Sequence, residues 1–484
     1  MDEFMKKRIV SIILVLVLCI MMLPNYSVMA AEKEATQALA VYQNYSNWAM
    51  NDLITADTYG IYPVTWYASD MTKPISKSKL KILISGLKTK LINTGCVSAT
   101  KDKTVRISEK LTVQEVMKLL YDIACDYTFK PDLKLQKTNY KDFMKQNGIY
   151  TGKNGEQSLK SNCSIEQACV IATRLITVIY DKLDAGSKGF FYKTEANGNT
   201  VYMLGSIHTG NSELYPLNAD IEKAYQASDA LAVEIDMTNE DGAYAILDQA
   251  IYNDGTSLKD HVSKETYDKV LKVAEDSGYN EVLIEKFKPW YLYLLFSSLS
   301  LNTTDSTGTT DASLNTALGI DIHFLTKAAV SGKKILEVEG YGVQAEMLNS
   351  FSDELQEYLL CATIASADET TEGTSDSNKD DLLDMLKQWR EGDEKDFQKY
   401  VSFEYENGDL LANDADASVD VLIKEFKEKL FTNRDKKMAD YIEKLLTSEG
   451  KKTYFIVVGS GHYVSDHDVI DLLTEKGYTI TQIK

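Results

Sequence analysis

The run Asn199-Thr200-Val201-Tyr202-Met203-Leu204-Gly205-Ser206-Ile207-His208 decides the fold of this chain. Its counterpart returns near the carboxyl end as Tyr454-Phe455-Ile456-Val457-Val458-Gly459-Ser460-Gly461-His462. Each is a short apolar run followed by Gly-x-x-His. Such runs read as buried strands, and open α/β sheets place their ligand chemistry just beyond the carboxyl ends of such strands. A glycine at that point lets the backbone turn without steric penalty. The chain has only five histidines, so two in the same setting, 462 − 208 = 254 positions apart, are expected to face one another across one site.

Working outward, Phe190 to Lys193 and Thr200 to Leu204, joined through Asn197-Gly198-Asn199, read as a β-hairpin. Helical and strand patterns then alternate. Helices are predicted around 220–228, 264–276, 288–299 and 352–366, and strands at 231–235 and 334–338. This alternation predicts an α/β fold, a β-sheet flanked by helices. The polar stretches Asn302 to Thr310 and Ser366 to Asp380 read as loops.

A length of 484 residues implies more than one domain, and a net charge of −20 argues against nucleic acid or an anionic membrane as partner. Residues 1–30 read as a signal peptide: Lys6-Lys7-Arg8, an apolar stretch from Ile9 to about Leu23, and Val28-Met29-Ala30 before Ala31. A retained anchor, or a lipoprotein through Cys19, are the alternatives. Export makes the mature chain secreted or cell-wall-associated. The remaining cysteines, Cys96, Cys125, Cys163, Cys169 and Cys361, lack metal-type spacing and read as thiols.

Residues 31–185 carry short amphipathic helices in a pattern that occurs twice. The first unit runs from Trp48-Ala49 through Tyr59-Gly60-Ile61-Tyr62-Pro63 to Lys73-Pro74-Ile75-Ser76 and a helix from Lys77 to about Leu91. The second has Asn147-Gly148-Ile149, then Cys163-Ser164-Ile165-Glu166-Gln167-Ala168 and a helix ending near Ile176. This region resembles S-layer homology modules, which attach proteins of Gram-positive bacteria to wall polymers. The Thr-Arg-Ala-Glu stretch of those modules is replaced by Ser76-Lys77-Ser78-Lys79 and by Ser164-Ile165-Glu166-Gln167, so the resemblance supports a small helical domain better than it supports wall binding. The α/β domain follows over 186–484.

Two carboxylates end apolar strands in this second domain: Glu234 in Ala232-Val233-Glu234-Ile235-Asp236 and Glu339 in Leu336-Glu337-Val338-Glu339-Gly340, with Gln344 shortly after. A carboxylate at such a place must be paired, hydrogen-bonded or coordinated. An ion pair with Arg434 or Lys333 is one solution. The other is two histidines and one or two carboxylates around a divalent metal, with room for a polarised water. His261 reads as a solvated residue, His467 as a loop residue or an outer-shell partner of the site, and His323 as a residue early in a helix. Pro289-Trp290-Tyr291 reads as the start of a core helix. Serine-hydrolase elbows, phosphate loops and His-Glu-x-x-His helices are absent from the sequence.

The ordered set Asn199 to His208, Leu214-Tyr215-Pro216-Leu217, Ser228 to Glu234, Lys288-Pro289-Trp290, Gly319-Ile320-Asp321, Leu336 to Glu339, Asn433-Arg434 and Val457 to His462 resembles the TraB/GumN (TraB/PrgY) family, which includes the animal Tiki proteins. The resemblance covers about Gly189 to Lys484. It implies a divalent-metal-dependent hydrolase, a peptidase acting on extracellular peptides or proteins, with manganese, cobalt or zinc held by His208, His462 and Glu234. Glu234, Glu339 and Arg434 are the implied catalytic positions. The chain departs from the family at His323 and, mildly, at Ser206. A protein that sequesters a peptide or small ligand without turnover, and a metal-free hydrolase using His and Glu as acid and base, are the alternatives.

Overall fold

The computed structural model describes residues 44–98, 105–150, 156–301, 315–369, 375–401 and 417–484. The signal-peptide residues 1–30, Cys19 and the polar stretch 302–310 lie outside them.

Among the described residues between 44 and 183 the regular elements are helices apart from a two-stranded ribbon, β1 (Val97–Ser98) with β2 (Tyr127–Thr128). Helices start where Ser or Thr can accept a backbone N–H. Ser76 accepts from Lys79, and Thr112 and Ser164 form full capping boxes with Glu115 and Gln167. The three starts are stitched together through Ile75 N to Cys163 O (2.8 Å), Cys163 N to Leu111 O (2.8 Å) and Val113 N to Ser161 O (3.1 Å). The twofold reading of the sequence thus overlooks a third equivalent start at Leu111-Thr112-Val113. The Ile165–Leu183 helix also runs seven residues beyond the predicted end at Ile176, because its apolar face continues through Ile179 and Tyr180. The five cysteines in this part of the chain and beyond are free thiols.

The α/β part is built on a six-stranded sheet of order β6-β5-β7-β4-β3-β8. Its strands are β3 (Phe190–Ala196), β4 (Asn199–Ser206), β5 (Ala230–Val233), β6 (Lys334–Glu337), β7 (Thr453–Gly459) and β8 (Thr481–Gln482). The expected hairpin joins β3 to β4 through Asn197 and Gly198, with φ of 54° and 84°, as a two-residue turn between twisted strands requires. β4, β7, β5 and β6 are mutually parallel, and β3 and β8 form an antiparallel flank. The last long strand, β7, inserts between β4 and β5, so both Gly-x-x-His runs lie side by side, with Ser206 opposite Gly459.

Packing fills the sheet's faces with aromatic residues. Phe455 of β7 is fully buried and meets Phe324 (4.9 Å between centroids), Tyr225 (5.6 Å) and Phe191 (6.1 Å). Trp290 is fully buried in the Pro289–Leu301 helix, as core was expected to be. The polar stretch 366–380 is not simply a loop: residues to Glu369 end one helix and those from Ser375 begin another. In the last turn of that second helix the buried Trp389 donates its Nε1 to Gly205 O at 2.8 Å. Among the described residues no helix is long and apolar enough to cross a membrane.

Candidate functional site

Four adjacent parallel strands end at one edge of the sheet, and each is followed by one of the singled-out side chains. His208 follows β4, His462 follows β7, Glu234 follows β5 and Glu339 follows β6. The space beyond the carboxyl ends of parallel strands is where open α/β sheets form a ligand crevice.

The glycines act here through space rather than through an unusual turn, which corrects the expectation from sequence. Gly205, Gly459 and Gly461 have no positive φ. A Cβ on Gly205 would lie 2.9 Å from Ser460 Oγ, and one on Gly461 would lie 2.6 Å from Phe431 Cε1. Ser460 closes the contact by donating to Ser206 O from both its N–H (2.9 Å) and its hydroxyl (2.8 Å). A Cβ on Gly459 would sit 3.2 Å from Glu234 Oε1, 3.5 Å from His208 Nε2 and 3.8 Å from His462 Cδ2. The two histidines and Glu234 therefore surround a single point.

Each imidazole is held from behind by a buried carboxylate. His208 Nδ1 lies 2.5 Å from Asp321 Oδ2, and His462 Nδ1 lies 2.5 Å from Asp435 Oδ1. Asp321 comes from the first turn of the Ile320–Ser331 helix and Asp435 from that of the Asn433–Thr447 helix, just after a π-helical turn at Glu428–Thr432. Both Nε2 atoms are buried without a hydrogen-bond partner. Asp435 escaped the sequence reading, and Asp321 was noted only within a motif. The available signal for both was a carboxylate in a helix's first turn, which is too common to single out.

Arg434 gathers the two glutamates. Its Nη2 donates to Glu234 Oε2 and to Glu339 Oε2, both at 2.7 Å, and its Nε to Glu339 Oε1 at 2.9 Å. Gln344 Nε2 adds bonds of 3.1 and 3.3 Å to the same two carboxylates. Glu234 Oε1 receives the Gly459 N–H at 2.5 Å. The ion-pair solution to the buried carboxylates is thus realised with Arg434. Lys333 instead donates to Ser228 O.

Proton affinities differ between the histidines. Burial would lower that of His208, but the adjacent Asp321 and then Glu234 overcome it and raise its pKa. Burial, Arg434 and His208 push His462 well below the usual imidazole range, while burial pushes its partner Asp435 well above the usual carboxylate range. Burial also raises Glu234, against the pull of Arg434 and His208. Two chemically identical imidazoles are thereby split into one that favours its proton and one that refuses it.

The donors fit a divalent cation in part. Two unpartnered imidazole nitrogens, each with its other nitrogen fixed by a carboxylate, are what a metal requires of histidine. Among the described residues, however, no group of three His, Cys, Asp or Glu is arranged to hold a metal. Glu234 is the nearest oxygen donor and is engaged on both sides by Gly459 and Arg434.

The remaining histidines lie elsewhere. His323, in its helix as expected, is buried against Tyr215 (5.0 Å) with Nε2 3.4 Å from Glu222. His261 stacks on Tyr252 at 4.4 Å, and His467 is an exposed loop residue 3.7 Å from Glu475.

The profile of the TraB/PrgY/gumN family matches residues 190–482. The uncharacterized YbaP protein of Escherichia coli is 25% identical over 152 residues, which is 31% of this chain and 53% of that one. The metalloprotease TIKI homolog of Nematostella vectensis is 21% identical over 319 residues, 59% of this chain and 65% of that one. Metalloprotease TIKI2 of Xenopus tropicalis is 21% identical over 313 residues, 58% and 57% of the two chains. The chain therefore spans between half and two thirds of the length of these relatives. No solved structure matches.

Proposed function

The chain belongs to the TraB/PrgY/gumN family, and from that premise we propose that it is a divalent-metal-dependent hydrolase, a peptidase acting on an extracellular peptide or protein. The observation that carries this reading is the pair of buried, unpartnered Nε2 atoms of His208 and His462, each backed by an aspartate. Manganese, cobalt or zinc bound by these nitrogens would polarise a scissile carbonyl and acidify a water. Asp321 and Asp435 fix which imidazole nitrogen faces the crevice. Glu234, with its proton affinity raised by burial, is placed to take up and return a proton as general base and acid. Arg434 and Glu339 act as positioning residues, holding Glu234 by its second oxygen.

Elemental analysis of the purified chain beside the His208→Ala/His462→Ala double variant, after equal exposure to manganese, cobalt and zinc, tests the proposal. Near-stoichiometric metal in the parent and little in the variant supports it; metal in neither sinks it. The opposed proton affinities of His208 and His462 favour a second reading, a metal-free acid–base hydrolase, which full activity after chelation would select. Stoichiometric peptide binding with no product would select a sequestering protein instead.

Export rests on the basic and apolar residues before Ala31, and wall attachment on the helical repeats. Fractionation of producing cells into medium, wall and cytoplasm tests both.

A further inference from the structure

Each Gly-x-x-His motif carries a serine directly after its first glycine, and the fold uses the two hydroxyls differently. Ser460 commits its hydroxyl to Ser206 O at 2.8 Å, the oxygen that also receives the Ser460 N–H at 2.9 Å. Ser206 is 0% exposed, and its own Oγ has no hydrogen-bond partner. A buried hydroxyl without a bond costs stability, so one at the end of a central strand calls for an occupant that completes it.

The direction of that hydroxyl follows from the sheet. β4 and β7 are parallel, with Ser206 opposite Gly459. Residues paired across a ladder project to the same face, about 5 Å apart. Gly459 identifies the face: a Cβ there would lie 3.5 Å from His208 Nε2, 3.8 Å from His462 Cδ2 and 3.2 Å from Glu234 Oε1. Phe455, four residues earlier and so on the same face, packs on Phe324 of the helix that supplies Asp321 to His208. Ser206 therefore projects to the side on which the two imidazoles meet, one strand spacing from the point they surround. Gly459, its partner at that level, contributes no side chain to fill the space. Three buried atoms without partners, Ser206 Oγ, His208 Nε2 and His462 Nε2, thus lie on one side of the sheet around the missing side chain of Gly459.

Among the described residues, His, Cys, Asp and Glu supply no group of three that could hold a metal. A hydroxyl lies outside that set. We propose that Ser206 Oγ is a third donor to the divalent cation held by His208 and His462. That the occupant is a cation rests on the metal-dependent reading above; the direction of the hydroxyl does not. A serine oxygen can give a lone pair to an ion and still donate its proton, as the hydroxyl of a phosphate loop does beside magnesium. A hard oxygen donor next to two imidazoles narrows a site's preference for zinc over manganese, whereas a thiolate widens it.

The test is titration of the metal-free full chain with cobalt(II), followed by absorption, in the parent and in Ser206→Ala, Ser206→Thr and Ser206→Cys. Ser206→Ala should bind cobalt about ten-fold more weakly, the loss of one hydroxyl contact, and Ser206→Thr, which keeps the hydroxyl, should retain the parental affinity. Ser206→Cys places a thiol at the same position, and a near-ultraviolet sulfur-to-cobalt charge-transfer band is expected, with a wider preference for zinc over manganese. The parent, which has every other cysteine in common, supplies the blank. Circular dichroism of each metal-free variant establishes folding, and should Ser206→Ala fail to fold, the charge-transfer band alone decides. Cobalt bound by Ser206→Cys without that band, or parental affinity in a folded Ser206→Ala, overturns the assignment and leaves the two-histidine site in place. No cobalt bound by the parent overturns the metal-dependent reading and this proposal with it.

Discussion

Lys90, near the end of a helix in the amino-terminal part, is 2% exposed and donates its ammonium to the carbonyl of Tyr215 at 2.8 Å. It also donates to Ser212 O at 2.5 Å, while Tyr215 in turn donates its hydroxyl to Leu318 O at 3.0 Å, just before the helix that carries Asp321. The amino-terminal helices therefore reach the backbone that follows His208. Lys90→Met should cost about 3 kcal/mol, since it strips two buried carbonyls of a charged donor. Urea unfolding monitored by tyrosine and tryptophan fluorescence reads the loss; an unchanged midpoint would mean the contact contributes nothing.

Asp321→Asn and Asp435→Asn should each weaken metal binding about 10–100-fold, because an amide neither fixes the imidazole tautomer nor raises its basicity as a carboxylate does. Competition against a chelator of known affinity measures this. Retention of full affinity in both would show that the Nδ1 contacts are merely structural.

Arg434→Met should destabilise the chain by about 3–5 kcal/mol, because Glu234 and Glu339 would be left facing one another without their shared cation. Adding Glu339→Gln should recover part of the loss. Denaturant melts of the single and double variants decide it, and strict additivity would contradict the coupling.

Gly459→Ala places a methyl 3.2 Å from Glu234 Oε1 and 3.5 Å from His208 Nε2. Metal content and hydrolysis should fall at least about ten-fold while stability changes by less than about 3 kcal/mol. A folded, fully active alanine variant would show that the point between the histidines is not where chemistry occurs.

Burial raises Asp468 from an ordinary 3.8 to about 7. The folded chain thus holds this proton more tightly than the unfolded chain. The resulting stability is full below pH 4 and is lost as pH rises towards 7, with Glu394, Asp471 and Lys395 lining a cleft beside it. Relative to Asp468→Asn, the parent should lose on the order of 2 kcal/mol between pH 4 and pH 8. Parallel unfolding curves at the two pH values check the sign; a gap that widens towards low pH would refute it.

The order of apolar runs, turns and helix caps was written locally in the chain. Asn197-Gly198 dictates a two-residue hairpin, the continuous run Phe455 to Val458 dictates a strand buried on both faces, and the matched Gly-x-x-His pair identifies His208 and His462 as partners. Those signals act over a few residues and need no knowledge of what packs against them. The placement of β7 between β4 and β5 was different in kind. It required a contact across more than two hundred residues, and only that insertion turns four strand ends into one crevice. It also changes what the glycines are for: their φ values are ordinary, and it is the approach of Ser460, Phe431 and Glu234 that forbids a side chain. The same holds for Asp321 and Asp435, each a commonplace carboxylate in a helix's first turn until the fold brings it 2.5 Å from an imidazole. Residue type and spacing determine which groups are available to react, but the proton affinities of His208, His462 and Glu234 arise from burial and from charges distant in sequence, and those exist only once the chain has folded.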